Sequence, residues 1–559
     1  MALQNMIKYR NLIFVFLFIF SAILFGAVSC KSSKAERRAD YRLAIVLVID
    51  QMRPDYFTRY GHLFTGGLDR IQKNGAVFLN GYHDHRMTAT AVGHATISTG
   101  LLPSHHGVVG NYWYDRLEKR RVYSSGDSLA PVIDHPKADG QSPKRLLRAT
   151  VGDWLKRESP SSKVVSIALK DRAATFMGGL HPDAAFWIDF ETGDLVTSAY
   201  YMKKCPAFID SLNNSNFVRD FNGSKWEKLL PDSVYHNNES DDAIAAHDAR
   251  EKTFPHSIGD SKLEPNEKYY EELFTSPFGD SISIEFAKKS VLEYQMGQDD
   301  TPDILWLGCL SADYVGHSFG PNSDEVQDYY LRLDKYLADF FAFLDSLCGA
   351  ENYFVALSSD HGVMPFPEYL NSQGIASHRL SLDTLKSRVL KIGNQISEGH
   401  GLKENILRYE GIDLLIEYKK LPSNSPDYAE VEQKLAEEIK KLPDVADVYT
   451  RSELISGNSD RPYFSIYKNN FHPTRGGDLQ IRLNENVLLI KGSTGTTHLT
   501  PYKYDTQVPI VFVGSGIKPG NFSDSVRTVD IAPTIFELLG YSPAKNLDGK
   551  SLCEKFREF

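Results

Sequence analysis

The sequence predicts an α/β protein, a three-layer sandwich whose mostly parallel central sheet is flanked by helices. Three observations carry that prediction. Five short runs are apolar almost throughout: Leu43 to Ile49, Val164 to Leu169, Ile304 to Leu310, Tyr353 to Leu357 and Val508 to Val513. Continuous rather than alternating hydrophobicity is the pattern of strands buried on both faces, as in a parallel sheet covered by helices. Segments with the helical period lie between the runs. Finally, the first four runs each end at or just before a charged residue (Asp50, Lys170, Asp313, and Asp360 with His361), and ligands collect beyond the carboxyl ends of such strands.

From the N-terminus, Lys8 and Arg10 precede an apolar stretch from Leu12 to Val28, which runs into small residues before Cys30. That layout predicts a secretory signal over residues 1–29. A cysteine after small residues resembles the bacterial lipoprotein lipobox, although Ala27 stands where leucine is preferred. The expectation is an exported, periplasmic or cell-surface protein attached to the membrane only through a lipidated Cys30. The alternatives are a plainly cleaved signal or a one-span anchor. Residues 30–41 read as a linker, and 42–559 as the folded domain. The clearest helical pattern starts after the candidate cap Asn322 and runs through Val326, Tyr330, Leu333, Leu337, Phe340 and Leu344, stopping at Gly349. Two stretches lack the strand–helix rhythm, about 190–290 and about 366–485. Both read as insertions; the second is a small inserted subdomain with a charged helix from Tyr428 to Leu442.

Over 559 residues the hydrophobic fraction is 42% and the charged fraction 24%, which is globular. A formal charge of −10, with no basic run beyond pieces such as Lys119-Arg120-Arg121, excludes nucleic acid as the main partner. Beyond Cys30 the cysteines are Cys205, Cys309, Cys348 and Cys553, scattered and without a CxxC pair. Cys309 reads as a buried thiol; a disulfide at Cys205 stays open.

The chemistry-bearing residues are weak singly. Asp313 and His317 are four apart and meet on one helical face; Asp360-His361 and Gly495-Thr-Thr-His498 are each compatible with ordinary structure. Together with Asp50 they supply three carboxylates and three imidazoles, mostly at strand ends, the ligand inventory of a two-zinc site. The segment Arg86 to Gly100 adds five hydroxyls: Thr88, Thr90, Thr96, Ser98 and Thr99.

The combination of Ile49-Asp50, Thr90-Ala-Val-Gly-His94, Asp313-x-x-x-His317, Asp360-His361-Gly362 and Thr497-His498, with a closing Asp530-Ile-Ala-Pro-Thr segment, resembles the alkaline phosphatase superfamily. The resemblance spans about residues 42–552. It implies one zinc on Asp313, His317 and His498, and a second on Asp50, Asp360 and His361, with Thr90 Oγ as a further contact and the nucleophile. Ala91 to Thr99 reads as a helix whose N-terminus faces incoming phosphate; His94, His105 and His106 read as packing or supporting residues. The segment Lys170-Asp-Arg172, with Asn111, resembles the threonine-dependent phosphate monoesterases, and implies that Lys170, Arg172 and Asn111 bind the phosphoryl oxygens. No Cys/Ser-x-Pro-x-Arg surrounds Thr90, which excludes a sulfatase.

The expected function is therefore hydrolysis of small-molecule phosphate monoesters through a phosphothreonine. A phosphodiesterase or nucleotide pyrophosphatase of the same superfamily is the first alternative. A non-catalytic ligand-binding lipoprotein is the second, since aromatic residues make up 12% of the chain.

Overall fold

All seven residues of strand β1 (Leu43–Ile49) are buried, as are all of β6 (Asp303–Cys309) and β7 (Tyr353–Ser358), which pair with it on either side. The computed structural model describes residues 41–235, 253–410, 413–421 and 428–557. The expected signal over 1–29, Cys30 and nearly all of the linker lie outside the described residues. Among those described, no helix is long and apolar enough to cross a membrane.

The remaining strands of the sheet are β2 (Ala76–Tyr82), β3 (Val164–Ile167), β4 (Ala184–Ile188), β5 (Leu195–Val196), β8 (Gln507–Gly514), β9 (Gly520–Phe522) and β10 (Val526–Arg527). They lie in the order β9-β2-β8-β7-β1-β6-β3-β4-β5, with β10 also on β2. The pairs β7–β1, β1–β6, β6–β3 and β3–β4 are parallel. The fifth apolar run supplies the antiparallel member of this mostly parallel sheet. Strand β8 runs antiparallel to both β7 and β2, with Val511 opposite Leu357 and Ile510 opposite Phe78. Unbroken hydrophobicity reports burial on both faces, and an interior antiparallel strand meets that condition equally well.

Six helices matter for the site: α1 (Thr90–Thr99), α2 (Asp171–Gly178), α3 (Pro277–Glu293), α4 (Ser311–Phe319), α5 (Asp324–Cys348) and α6 (Ile531–Leu538). Helices α3, α4 and α5 pack together, and α1 packs on α2 and α6. The long helix α5 begins one residue later than the sequence suggests. Its cap is Ser323, whose hydroxyl accepts from Val326 N at 3.2 Å. Asn322 instead accepts from Arg59 Nη1 at 2.8 Å. Both residue types cap helices, so composition alone does not choose between neighbours.

Within 366–485, strands Leu407–Glu410, Asp413–Ile416, Val445–Thr450 and Leu479–Leu483 form a separate antiparallel sheet. Helices Leu382–Gly399 and Tyr428–Lys440 share a core with it that includes Val389, Leu414, Leu435 and Val448. Within 190–290, α3 packs against β6 and α5 and so joins the main core. Cys205, Cys309, Cys348 and Cys553 are all buried and free, so the disulfide left open at Cys205 does not form in this structure.

Candidate active site

Parallel pairing places the acids. Asp50 directly follows β1, Asp313 stands in the first turn of α4 beyond β6, and Asp360 lies just past β7. Registers of Ile49 with Cys309 and Val48 with Ser358 make the three neighbouring strands finish together, so the three carboxylates leave one edge of the sheet. Lys170 comes from the same edge, past β3 and immediately before α2. Its Nζ is 2.7 Å from Asp50 Oδ2 and 2.5 Å from Asp313 Oδ2, with all three side chains buried.

Three buried carboxylates against one ammonium leave an excess of negative charge in a dry place, which is costly unless further cations are present. Burial and the facing carboxylates of Asp313 and Asp360 push Asp50 well above the usual carboxylate range. Burial alone would also raise Asp313, but His317, Lys170 and His498 outweigh it and hold Asp313 well below that range.

The imidazoles are oriented by the main chain. His317 Nδ1 lies 2.7 Å from Thr496 O, His361 Nδ1 lies 3.0 Å from Gly362 O, and His498 Nδ1 bonds Thr88 O. A carbonyl only accepts, so each Nδ1 carries the proton and, in the neutral ring, each Nε2 presents a lone pair. Those lone pairs turn toward the acids. His317 Nε2 is 3.1 Å and His498 Nε2 is 3.7 Å from Asp313 Oδ1; His361 Nε2 is 3.3 Å from Asp50 Oδ1 and 3.4 Å from Asp360 Oδ2. Burial lowers the pKa of His361, and burial together with its imidazole neighbours lowers that of His498 well below the ordinary value, which favours their neutral forms. At His317 burial acts the same way, but the facing Asp313 carboxylate outweighs it and raises the pKa.

Asp50 Oδ1, Asp360 Oδ2 and His361 Nε2 are buried with no hydrogen-bond partner. Unprotonated nitrogen facing carboxylate oxygen at such distances is repulsive unless a cation lies between them. The donor set therefore fits divalent metal. Ligand atoms of Asp313, His317 and His498 lie within 4.8 Å of one another, and so do those of Asp50, Asp313 and His361. Asp313 is shared between these groups, and Asp360 joins the second through His361.

Thr90 is the first residue of α1, and Gly93 and His94 carry this turn onto the acidic site. A Cβ on Gly93 would lie 2.6 Å from Asp360 Cα, so only glycine allows this approach. His94 Nδ1 is 2.8 Å from Thr90 O and 3.4 Å from Asp360 Oδ2. Of the five hydroxyls in the segment, four are tied to main-chain carbonyls: Thr88 to Thr500, Thr96 to Val92, Ser98 to Phe176 and Thr99 to Ala95. Thr90 Oγ1 has no such partner among the described residues. His106 is buried on Thr96, while His105 is half exposed and pairs with Asp548.

Asn111 Oδ1 accepts from Ala91 N at 2.9 Å, which commits its amide oxygen to α1. The N–H groups of Val92 and Gly93 both bond Ala89 O. Three N–H groups of the first turn of α1, those of Ala91, Val92 and Gly93, are thus engaged. Arg172, in the first turn of α2, donates from Nη1 to Tyr123 Oη at 3.2 Å, and Tyr123 in turn donates to Asp171.

Sequence reasoning missed Gln51. Its N–H donates to Asp360 Oδ1 at 3.2 Å and its Nε2 to Asp313 Oδ1 at 2.6 Å, linking two of the acids. Adjacency to Asp50 was the available signal, but an amide beside an acid has no signature of its own. It also passed over Tyr314, whose ring lies 4.8 Å from Lys170 Nζ.

Known proteins resemble this chain over most of its length. A family model described as type I phosphodiesterase / nucleotide pyrophosphatase matches residues 44–506. The chain is 33% identical to alkaline phosphatase PafA of Elizabethkingia meningoseptica, over 95% of this chain and 97% of the relative. It is 32% identical to a protein of Myroides odoratus named as a calcium-transporting ATPase, over 93% and 96% of the two chains. The crystal structure of wild-type PafA superposes with a TM-score of 0.82, covering 92% of this chain and 98% of that one. With the match extending from β1 to the threshold of β8, the chain belongs to the type I phosphodiesterase / nucleotide pyrophosphatase family of the alkaline phosphatase superfamily.

Proposed function

We propose that this chain is a phosphoric monoester hydrolase. In this reading it holds two zinc ions, one on Asp313, His317 and His498 and the other on Asp50, Asp360 and His361, and uses Thr90 as its nucleophile. The observation that carries the reading is the convergence of three Nε2 atoms on buried carboxylate oxygens, with the turn that bears Thr90 packed on Asp360 through Gly93 and His94. Bound there, zinc supplies Lewis acidity that favours the alkoxide of an alcohol and offsets the carboxylate charge.

The chain's own groups do the rest. Thr90 Oγ attacks phosphorus in line, the new Oγ–P bond forming as the ester P–O bond breaks. Water then releases phosphate from the phosphothreonine. Asn111 presents its NH₂ to a phosphoryl oxygen, and Arg172 offers its guanidinium from the first turn of α2. Lys170 exchanges its contacts with Asp50 and Asp313 for a phosphoryl oxygen. Phosphoryl transfer asks mainly for this kind of positioning and charge stabilisation.

The family description includes phosphodiesterases, so the ester type needs its own argument. A monoester is a dianion with three terminal oxygens; a diester is a monoanion with two. Lys170 and Arg172 add positive charge that the dianion uses more fully. The name alkaline phosphatase, borne by the PafA relative and by PhoV of Synechococcus elongatus at 31% identity, supports the same choice.

Zinc-loaded protein is expected to hydrolyse a monoester far faster than a diester. Thr90→Ala should keep metal near two ions per chain while kcat falls roughly 10³-fold or more; undiminished turnover would remove Thr90 from its role. From the N-terminal layout of Lys8, Arg10, the apolar run and Cys30, we further propose that the protein lies outside the cytoplasm, anchored at Cys30. Labelling of cells with a palmitate analogue should mark the protein and spare Cys30→Ser.

A further inference from the structure

A cavity of about 560 Å³ opens beside the Asp313, His317 and His498 group. Its walls include Phe190, Phe274, Tyr314, His317, Ile490 and Lys491. The Phe190 ring meets Phe274 edge-on at 4.8 Å between centroids and lies 5.9 Å from Tyr314. Tyr314 and His317, three residues apart on one face of α4, are both only half-buried, whereas the residues around them on that helix are buried. The His317 side chain is 30% exposed, against 7% for His498 and 0% for His361. Lys170 Nζ lies over the Tyr314 ring, 4.8 Å from its centroid. Tyr314 thus touches both Lys170 and this chamber, and the most exposed of the three imidazoles forms part of its wall.

In-line geometry says what enters. The turn carrying Thr90 packs on Asp360, through Gly93 and His94, and so belongs to the Asp50, Asp360 and His361 half. The leaving oxygen departs from the opposite side of phosphorus, toward Asp313, His317 and His498. Whatever that oxygen carries is directed at the cavity. Resting on the monoesterase reading, we propose that the cavity is a leaving-group subsite that takes an aromatic ring, with Phe190 as a specificity-determining residue. The volume suits a ring held by one or two bonds from the ester oxygen, and Phe190 and Tyr314, with the buried Phe274 packed edge-on behind Phe190, favour a flat π-system over a saturated chain of similar reach.

Benzyl phosphate and ethyl phosphate test this, because their alcohols are of similar acidity and the chemical step is nearly matched. Wild-type zinc-loaded protein is expected to favour benzyl over ethyl phosphate by about tenfold in kcat/KM. In Phe190→Ala that ratio should fall about fivefold, and Phe190→Tyr should restore it. Ile490→Ala, also in the cavity wall, should lower the ratio in the same sense, which guards against a folding defect peculiar to one variant. Calorimetry supplies a readout without turnover: benzylphosphonate should bind wild type more tightly than methylphosphonate, with the gap narrowed in Phe190→Ala. Equal kcat/KM for the two esters in wild type, or a ratio unmoved by both substitutions, overturns the subsite and leaves the monoesterase reading standing. Hydrolysis of neither ester overturns the monoesterase reading, and the phosphonate comparison then decides the cavity by itself.

Discussion

Gln51 sits at φ 68°, in the left-handed region that non-glycine residues rarely occupy. The backbone turn directs its N–H to Asp360, while the side chain reaches Asp313. Gly316 leaves room for this reach, since a Cβ there would strike Gln51 Oε1. One residue therefore holds two acids in place from behind. Gln51→Ala is expected to weaken zinc binding about 10- to 100-fold, measured by equilibrium dialysis against a competing chelator; unchanged affinity would show that the acids hold their positions without it. Asp505 offers a pH test at the same scale. It is buried, its Oδ2 accepts from both the N–H and hydroxyl of Thr500, its Oδ1 has no partner, and burial raises its pKa to about 8. A carboxyl raised on folding contributes stability that is full below the unfolded value near 4 and is lost as pH climbs through 8. Wild type should therefore gain thermal stability over Asp505→Asn as pH falls from 8.5 to 5. A constant difference in Tm across that range would contradict the shift.

At the scale of elements, α1 shows why some positions tolerate nothing else. Its ten residues are buried throughout, and at Gly93 it touches the chain at Asp360 so closely that one added methyl group has nowhere to go. Gly93→Ala is expected to cost about 1–3 kcal/mol of stability, and to lower zinc content by displacing Asp360. Denaturant unfolding and metal analysis together check both halves of that statement. Helices and strands were largely legible in the sequence, because period and burial write directly into residue type. The apolar runs became β1, β3, β6, β7 and β8, and the helix α1 spans Thr90–Thr99 as the pattern after Thr90 suggests. The direction of β8 was not legible, since Val508 to Val513 reads the same way up or down. Nor was the choice of Ser323 over Asn322 as a cap.

For the whole molecule, the proposed metal site would couple metal to folding. Lys170 pairs with two of the three buried carboxylates, Asp50 and Asp313, and His361 and His498 are favoured as neutral rings. Ligands that bind only the folded state stabilise it by mass action. Chelation should therefore lower the melting temperature by several degrees and zinc should restore it, read by calorimetry with and without chelator; identical transitions would show that the cluster carries no bound cation. Alone, the sequence determined the α/β class, the identity of the acids and histidines, and Thr90 as the candidate among five hydroxyls, because these follow from local pattern and from motif. Only the tertiary structure decided that Thr90 alone among those hydroxyls lacks a carbonyl partner among the described residues, that Gln51 braces two acids, and that Phe190, Phe274 and Ile490 meet around one chamber beside His317. The brace at Gln51 and the meeting of Phe190 with Ile490 join residues hundreds of positions apart, and the hydroxyl partners depend on side-chain direction, neither of which a short-range pattern of residue types encodes.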